Sequence, residues 1–183
     1  MRVISGNLRG TKLYTLEGLD TRPTLDRVKE SLFNIINFDI KDSIFLDLFA
    51  GSGAIGIEAA SRGAKKVVMC EKSKEAINII NKNLEKTRLN DSVTLYNMDF
   101  EKCICDKLVD KFDIIYLDPP YKTDFIYKSL KLLIEKELIK KETIIILETD
   151  IEQIVENQLE KLGLTEFNFK KYGRVSLLFY KTN

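Results

Sequence analysis

Ile44-Phe45-Leu46-Asp47-Leu48-Phe49 runs straight into Ala50-Gly51-Ser52-Gly53-Ala54-Ile55-Gly56. The first half is a short apolar run of the kind that forms a buried strand, and Ile57 to Arg62 behind the second half reads as helix. Between them Gly51, Gly53 and Gly56 spell G-x-G-x-x-G, in which glycines permit a tight turn and close approach of backbone to ligand and of helix to strand. Strand, glycine loop and helix in that order open a nucleotide-binding α/β sheet.

Strand and helix patterns alternate outward from this junction. Strands are expected near 44–48, 66–70, 92–96, 112–117 and 143–148, and helices near 53–62, 73–88, 101–109, 124–136 and 151–162. Such alternation builds a parallel sheet with helices on both faces. Thr165 to Lys171 and Val175 to Lys181 read as two strands joined around Gly173 with no helix between them. Ahead of the alternating region, Arg2–Ser5 and Lys12–Thr15 form a candidate hairpin. A helix is expected over 25–38, where Leu25, Val28, Leu32, Ile35 and Ile36 repeat at helical spacing and Thr24 is placed to cap it. One domain is expected over 1–183, with an N-terminal extension at 1–40 and a Rossmann-like core at 41–183.

Acidic residues mark the expected carboxyl ends of the strands, the edge where open parallel sheets bind ligands. Glu71 follows Lys66-Val67-Val68-Met69-Cys70 and lies twenty residues beyond Gly51, where an acidic group gripping ribose hydroxyls is expected. Both NAD and S-adenosylmethionine carry that diol. Asp47 separates them: a carboxylate four residues before the first glycine is awkward beside a pyrophosphate and suits the ammonium and sulfonium of S-adenosylmethionine. Asp99 is placed to accept from the adenine amine, with a helix-capping aspartate as the alternative reading. Phe49, Gly51, Gly53, Lys72 and Phe100 complete the candidate cofactor-binding set.

Asp118-Pro119-Pro120-Tyr121 follows the apolar run Phe112 to Leu117. Consecutive prolines offer carbonyl oxygens and no N–H, so the segment is rich in acceptors and poor in donors. An aromatic exocyclic amine is the reverse. Asp118 and the Pro119 carbonyl are candidates to accept its two hydrogens, and the Tyr121 ring offers a stacking face for a base. The plain alternative is a strand that ends in a turn.

Taken together, Asp47 to Gly53, Asp118 to Tyr121, and the early Arg22-Pro23-Thr24 with Asp26 to Glu30 and Leu32-Phe33-Asn34 resemble the RsmD family of small-subunit ribosomal RNA guanine-N2 methyltransferases. The similarity extends from Met1 to Val175. It implies a Class I S-adenosylmethionine-dependent methyltransferase fold, mostly parallel with an antiparallel C-terminal hairpin. It also implies S-adenosylmethionine as cofactor, and ribosomal RNA as substrate, expected within an assembled or assembling small subunit. Arg22 and Thr24 would then lie near the active site. Guanine is implied by the resemblance alone, because the residues themselves fit adenine N6 equally. A protein-glutamine methyltransferase is disfavoured by aspartate at position 118, and a nonenzymatic assembly factor would have no need of the acceptors at Asp118 and Pro119.

Composition bounds the alternatives. The 183 residues, 44% apolar, suffice for one domain with a core, whereas a DNA-reading recognition domain would take on the order of another hundred. Residues 1–12 carry Arg2, Arg9 and Lys12 without an acid, and 161–183 carry Lys161, Lys170, Lys171, Arg174 and Lys181 against Glu166 alone. The ends are therefore +3 and +4 and the stretch between them −6, for +1 overall. Arg2, Arg9, Lys12 and Arg174 are accordingly candidate RNA contacts. Cys70, Cys103 and Cys105 without any histidine argue against a zinc centre or a His-based triad, so no metal is expected. No apolar run approaches about 18 residues; no membrane association, a cytoplasmic location and no obligate protein partner are expected.

Overall fold

The computed structural model describes residues 1–16, 23–120, 124–150, 159 and 162–182. Its centre is a seven-stranded sheet of order β3-β2-β1-β4-β5-β7-β6. The strands are β1 (Ile44–Asp47), β2 (Lys66–Glu71), β3 (Val93–Asn97), β4 (Phe112–Leu117), β5 (Ile139–Thr149), β6 (Thr165–Tyr172) and β7 (Val175–Lys181). The first five pair in parallel, and β7 is antiparallel to both β5 and β6. This is a Rossmann-like Class I architecture with the expected C-terminal hairpin.

Side chains alternate across the strands, so each strand feeds two cores. Phe45, Val67, Met69, Ile114, Ile146 and Phe179 pack on one face against α1 (Pro23–Ile35), α2 (Ala54–Ser61) and α3 (Lys74–Thr87). Leu46, Val68, Ile115, Leu117, Ile145 and Leu147 pack on the other against α4 (Phe100–Asp106) and α5 (Phe125–Glu135). Helix α1 belongs to the first core. Leu32, Phe33 and Ile36 are fully buried, and the Phe33 ring stacks on Phe45 at 6.4 Å.

Several boundaries differ from expectation, among them the end of α4, which stops at Asp106 rather than near 109. Helix α1 begins at Pro23, a residue suited to the first helical position because its φ is preset and it has no N–H to leave unpaired. Thr24 therefore lies inside the first turn rather than ahead of it, and its side chain is outside the described residues. The helix ends at Ile35, because Ile36 to Asp39 turn, with the Asp39 N–H bonded to the Ile36 carbonyl at 3.0 Å. Strand β5 starts four residues early, where Ile139 pairs with Phe112 beyond an irregularity in register that the polar Lys140-Lys141-Glu142 conceals. The helix expected near 151–162 falls outside the described residues, save that Leu159 is helical and buried. Among the described residues no helix is long and apolar enough to cross a membrane.

The N-terminal segment forms a hairpin whose ends meet at the Arg2–Lys12 bridge. Glu58 of α2 anchors it. Its carboxylate accepts from the N–H groups of Ile4 and Ser5 at 2.8 and 2.9 Å and pairs with Lys29 and Arg62 at 3.1 and 2.8 Å. Asn83 of α3 fastens the far end, accepting from Tyr14 N–H at 2.8 Å and donating to the carbonyls of Tyr14 and Ser52 at 3.0 Å each. The extension is thereby laid across the glycine loop.

Candidate active site

The glycine loop is shaped by close packing. Gly53 caps α2 with φ 77°, a left-handed conformation that glycine adopts without steric cost. At Gly56 a Cβ would stand 2.3 Å from the tip of the Met69 side chain and 3.1 Å from Val67, so a larger residue would require Met69 to move aside. The Gly56 N–H donates to Asp47 Oδ2 at 3.2 Å, while Oδ1 is buried with no hydrogen-bond partner among the described residues. Burial pushes the Asp47 carboxyl up to about 7, with Glu71 adding to the rise and the N–H groups of Gly56 and Phe49 opposing it. An unpartnered buried oxygen of this kind costs free energy until something cationic or donating meets it.

Two hollows open at the carboxyl edge on either side of this loop. One, a cleft of about 400 Å³, is lined by Phe49, Gly51, Glu71, Lys72, Asp99, Phe100, Asp118, Pro119 and Phe125 among others. The other, about 280 Å³, lies under the N-terminal extension and includes Asp47, Phe49, Gly51, Tyr116, Asp118 and Glu148. Phe49, Gly51 and Asp118 line both. The tertiary structure thus joins the glycine motif to Asp118, some seventy positions downstream, at a common wall.

In the larger cleft, Glu71 accepts from Gly51 N–H at 2.8 Å through one oxygen and from Ser73 N–H at 2.7 Å through the other. Each oxygen keeps a lone pair for a further donor. Asp99 caps α4, accepting from Glu101 N–H at 3.0 Å, and pairs with Lys72 at 3.0 Å. Burial pushes the Asp99 carboxyl up, but Lys72 and the Glu101 N–H outweigh it and hold it below its ordinary value. Phe49, Phe100 and Phe125 form an aromatic wall with ring separations of 5.3, 6.3 and 5.0 Å, Phe49 and Phe125 lying within 4° of parallel. Phe125 escaped sequence reasoning because it is simply the first residue of α5 in an apolar stretch.

The smaller cavity is acidic. Asp118 is held well above the ordinary carboxylate range by burial and by the like charges of Glu148 and Asp47. Glu148, near the end of β5, is raised by burial and drawn back by Tyr116, whose hydroxyl donates to Oε2 at 2.6 Å. Lys29 also lines this cavity, with its ammonium committed to Glu58. Burial lowers its affinity for the proton, and Glu58 offsets part of that. Glu148 was legible in the sequence only as an acid closing an apolar run.

The remaining candidates scatter. Tyr121 and Arg22 lie outside the described residues. The turn at 173–174 joining β6 and β7 stands at the same sheet edge as the cavities, because Thr149 of β5 pairs with Ser176 and Ser176 with Lys171, and it exposes Arg174 there. Arg2 and Arg9 share a small hollow with Asp26 and Glu30 of α1. Arg9 is remote from the rim, since its turn is tied to Ser61 at the opposite end of α2 through Asn7. Lys12 is exposed across the bridge from Arg2. The tip of the hairpin thus carries Arg9 down α2 away from that edge.

The chain matches the family described as conserved hypothetical protein 95 over residues 1–181. It is 38% identical to ribosomal RNA small subunit methyltransferase D of Haemophilus influenzae over 154 residues, covering 82% of this chain and 79% of that protein. The protein of the same name from Escherichia coli is 32% identical over 152 residues, covering 83% and 76%. Among solved structures, a candidate methyltransferase from Escherichia coli superposes with a TM-score of 0.83 at 29% identity, covering 99% of this chain and 97% of that one.

Proposed function

The chain belongs to the RsmD family of ribosomal RNA methyltransferases, and from that premise we propose that it methylates the exocyclic N2 amine of a guanine in small-subunit (16S) ribosomal RNA. Its cofactor is S-adenosylmethionine. The observation that carries the reading is the meeting of two hollows at Asp118, one walled by aromatics and Glu71, the other by buried acids.

The residues fit the cofactor. Asp47, with an unpartnered buried oxygen, suits its cationic end. Glu71 would take the ribose hydroxyls, and Phe49, Phe100 and Phe125 offer apolar faces to the adenine. Asp99 would accept from the adenine amine through a lone pair not used by Lys72 or Glu101. When bound, S-adenosylmethionine supplies a methyl carbon on a sulfonium that is already an activated leaving group.

Asp118 and the Pro119 carbonyl accept the two hydrogens of the base amine, a poor nucleophile because its lone pair is delocalised into the ring. These bonds favour a pyramidal nitrogen, aim its lone pair and stabilise the positive charge that develops on it. Tyr121 stacks on the base. The upward shift of Asp118 suits a group that takes up the proton which the methylated nitrogen sheds. A surface this small favours an assembled particle over protein-free RNA as substrate.

Asp118→Ala is expected to lower labelled-methyl transfer about 10²–10³-fold, the cost of losing one preorganised charge-stabilising contact, with the cofactor Kd nearly unchanged. Transfer at a normal rate would end the assignment. Tyr121→Phe is expected to be tolerated while Tyr121→Ala loses the ~1–3 kcal/mol of a stacked base; equal damage from both would point to the hydroxyl. Digestion of the methylated RNA should release label as N2-methylguanosine.

A further inference from the structure

We propose that Glu148 selects guanine over adenine by accepting a hydrogen bond from ring nitrogen N1 of the target base, a role that rests on the reading of Asp118 as acceptor of the 2-amine. Register places the two carboxylates side by side. Leu117, the last residue of β4, pairs with Leu147 of β5, so Asp118 leaves one strand beside the point where Glu148 continues the next, the paired strands lying about 4.8 Å apart there. Tyr116 and Ile146, two residues earlier on each strand, pair with one another and belong to the same core, so Asp118 and Glu148 continue one face of the sheet. Both line the smaller cavity.

The Tyr116 hydroxyl fixes what Glu148 can do there. By donating to Oε2 at 2.6 Å it orients the carboxyl group and leaves Oε1 to meet a ligand. No cation pairs with Glu148 among the described residues, and Lys29 on the cavity wall is spent on Glu58. Glu148 stands opposite Leu177 in the sheet and lines the cavity with no cation beside it among the described residues, so a donor on a ligand would complement it.

Guanine carries adjacent donors on one edge, N1–H and the 2-amine, and two neighbouring carboxylates are their complement. Adenine presented with its amine to Asp118 would bring a bare N1 lone pair against Glu148. Extruded bases are read on this edge, and a site built to accept a hydrogen bond discriminates strongly against a base that lacks the donor.

The test uses the full protein and substrate RNA, in its particle where required, in which only the mapped target guanine is replaced by 2-aminopurine. This analogue keeps the 2-amine but has a bare N1. The wild type is expected to use 2-aminopurine at least about 100-fold less efficiently than guanine in kcat/KM. Glu148→Gln, whose amide can donate to N1, is expected to narrow or invert that ratio with the protein folded and its cofactor Kd unchanged. Equal use of both bases by the wild type overturns the proposal without needing any variant. So does a Glu148→Gln enzyme slowed on both bases by one factor, as a purely structural partner of Tyr116 would give. In either case N2-methylguanosine as the natural product leaves the guanine-N2 reading standing, whereas label in any other nucleoside removes that reading and this one together.

Discussion

Glu58 and Asp47 are both buried acids on the same face of the sheet, less than one helix apart, and they could hardly be treated more differently. Glu58 is fully buried and meets two cations and two backbone N–H groups. Asp47 is 1% exposed, receives the Gly56 N–H on one oxygen and leaves the other without a partner among the described residues. Asp118 and Glu148 add two more acids to the cavity that Asp47 lines, Glu148 with the Tyr116 hydroxyl on one oxygen. Burial of a charge is unfavourable unless it is compensated. Where the protein supplies the compensation, the acid serves the fold; where it withholds it, a donor or cation from outside is the natural complement. Glu58 pins the N-terminal extension, and Asp47 waits for a ligand beneath it.

The largest effect expected from breaking this contrast is at Glu58. Glu58→Ala leaves Lys29 and Arg62 buried without their carboxylate and should cost about 3–5 kcal/mol, read as a lowered urea midpoint. Loss of less than about 1 kcal/mol would mean that the pairing is incidental.

Asp47→Asn should do the opposite to the ligand-free protein. The folded carboxyl sits at about 7 against an ordinary 3.8, so the folded state binds the proton more tightly. The corresponding stability is complete below about pH 4 and lost as pH rises through about 7. The variant should flatten that profile, and at about pH 8 be the more stable protein by a few kcal/mol, at ~1.4 kcal/mol per pH unit. Its affinity for S-adenosylmethionine should drop, and that of the wild type should weaken as pH falls through 7, because a cationic ligand favours the ionised acid. Parallel denaturation curves across that range would remove Asp47 from the second class.

Smallest is Lys72→Ala. Its pair with Asp99 is mostly exposed, with 77% of the Lys72 side-chain surface open to solvent, so stability should change by less than about 1 kcal/mol in a thermal melt. A larger loss would show that this pair behaves like Glu58.

The sheet was largely readable along the chain. Strands β1 to β4 fall within one residue of their expected limits because buried parallel strands are short apolar runs with sharp ends. Helix ends were less legible. Asp99 caps α4 one residue earlier than periodicity suggested, and α1 stops where a local turn replaces the helical bond. At the site, Asp47, Gly51, Glu71, Asp99 and Asp118 all line the paired hollows, as the rule of ligands at strand carboxyl ends anticipates. Composition carries no information on direction, so only the fold shows that the hairpin tip holds Arg9 away from the rim.

Local sequence, then, determined which segments are strands and helices and which carry acids at their ends, because hydrophobic period, proline and glycine act over a few residues. Only the tertiary structure decided which acids are neighbours. Glu148 stands beside Asp118 through strand register, and Lys29 reaches Glu58 through the docking of α1 on α2. Pairing of charges depends on distances of a few ångströms between positions thirty apart in the chain, and those distances exist only after the sheet has closed.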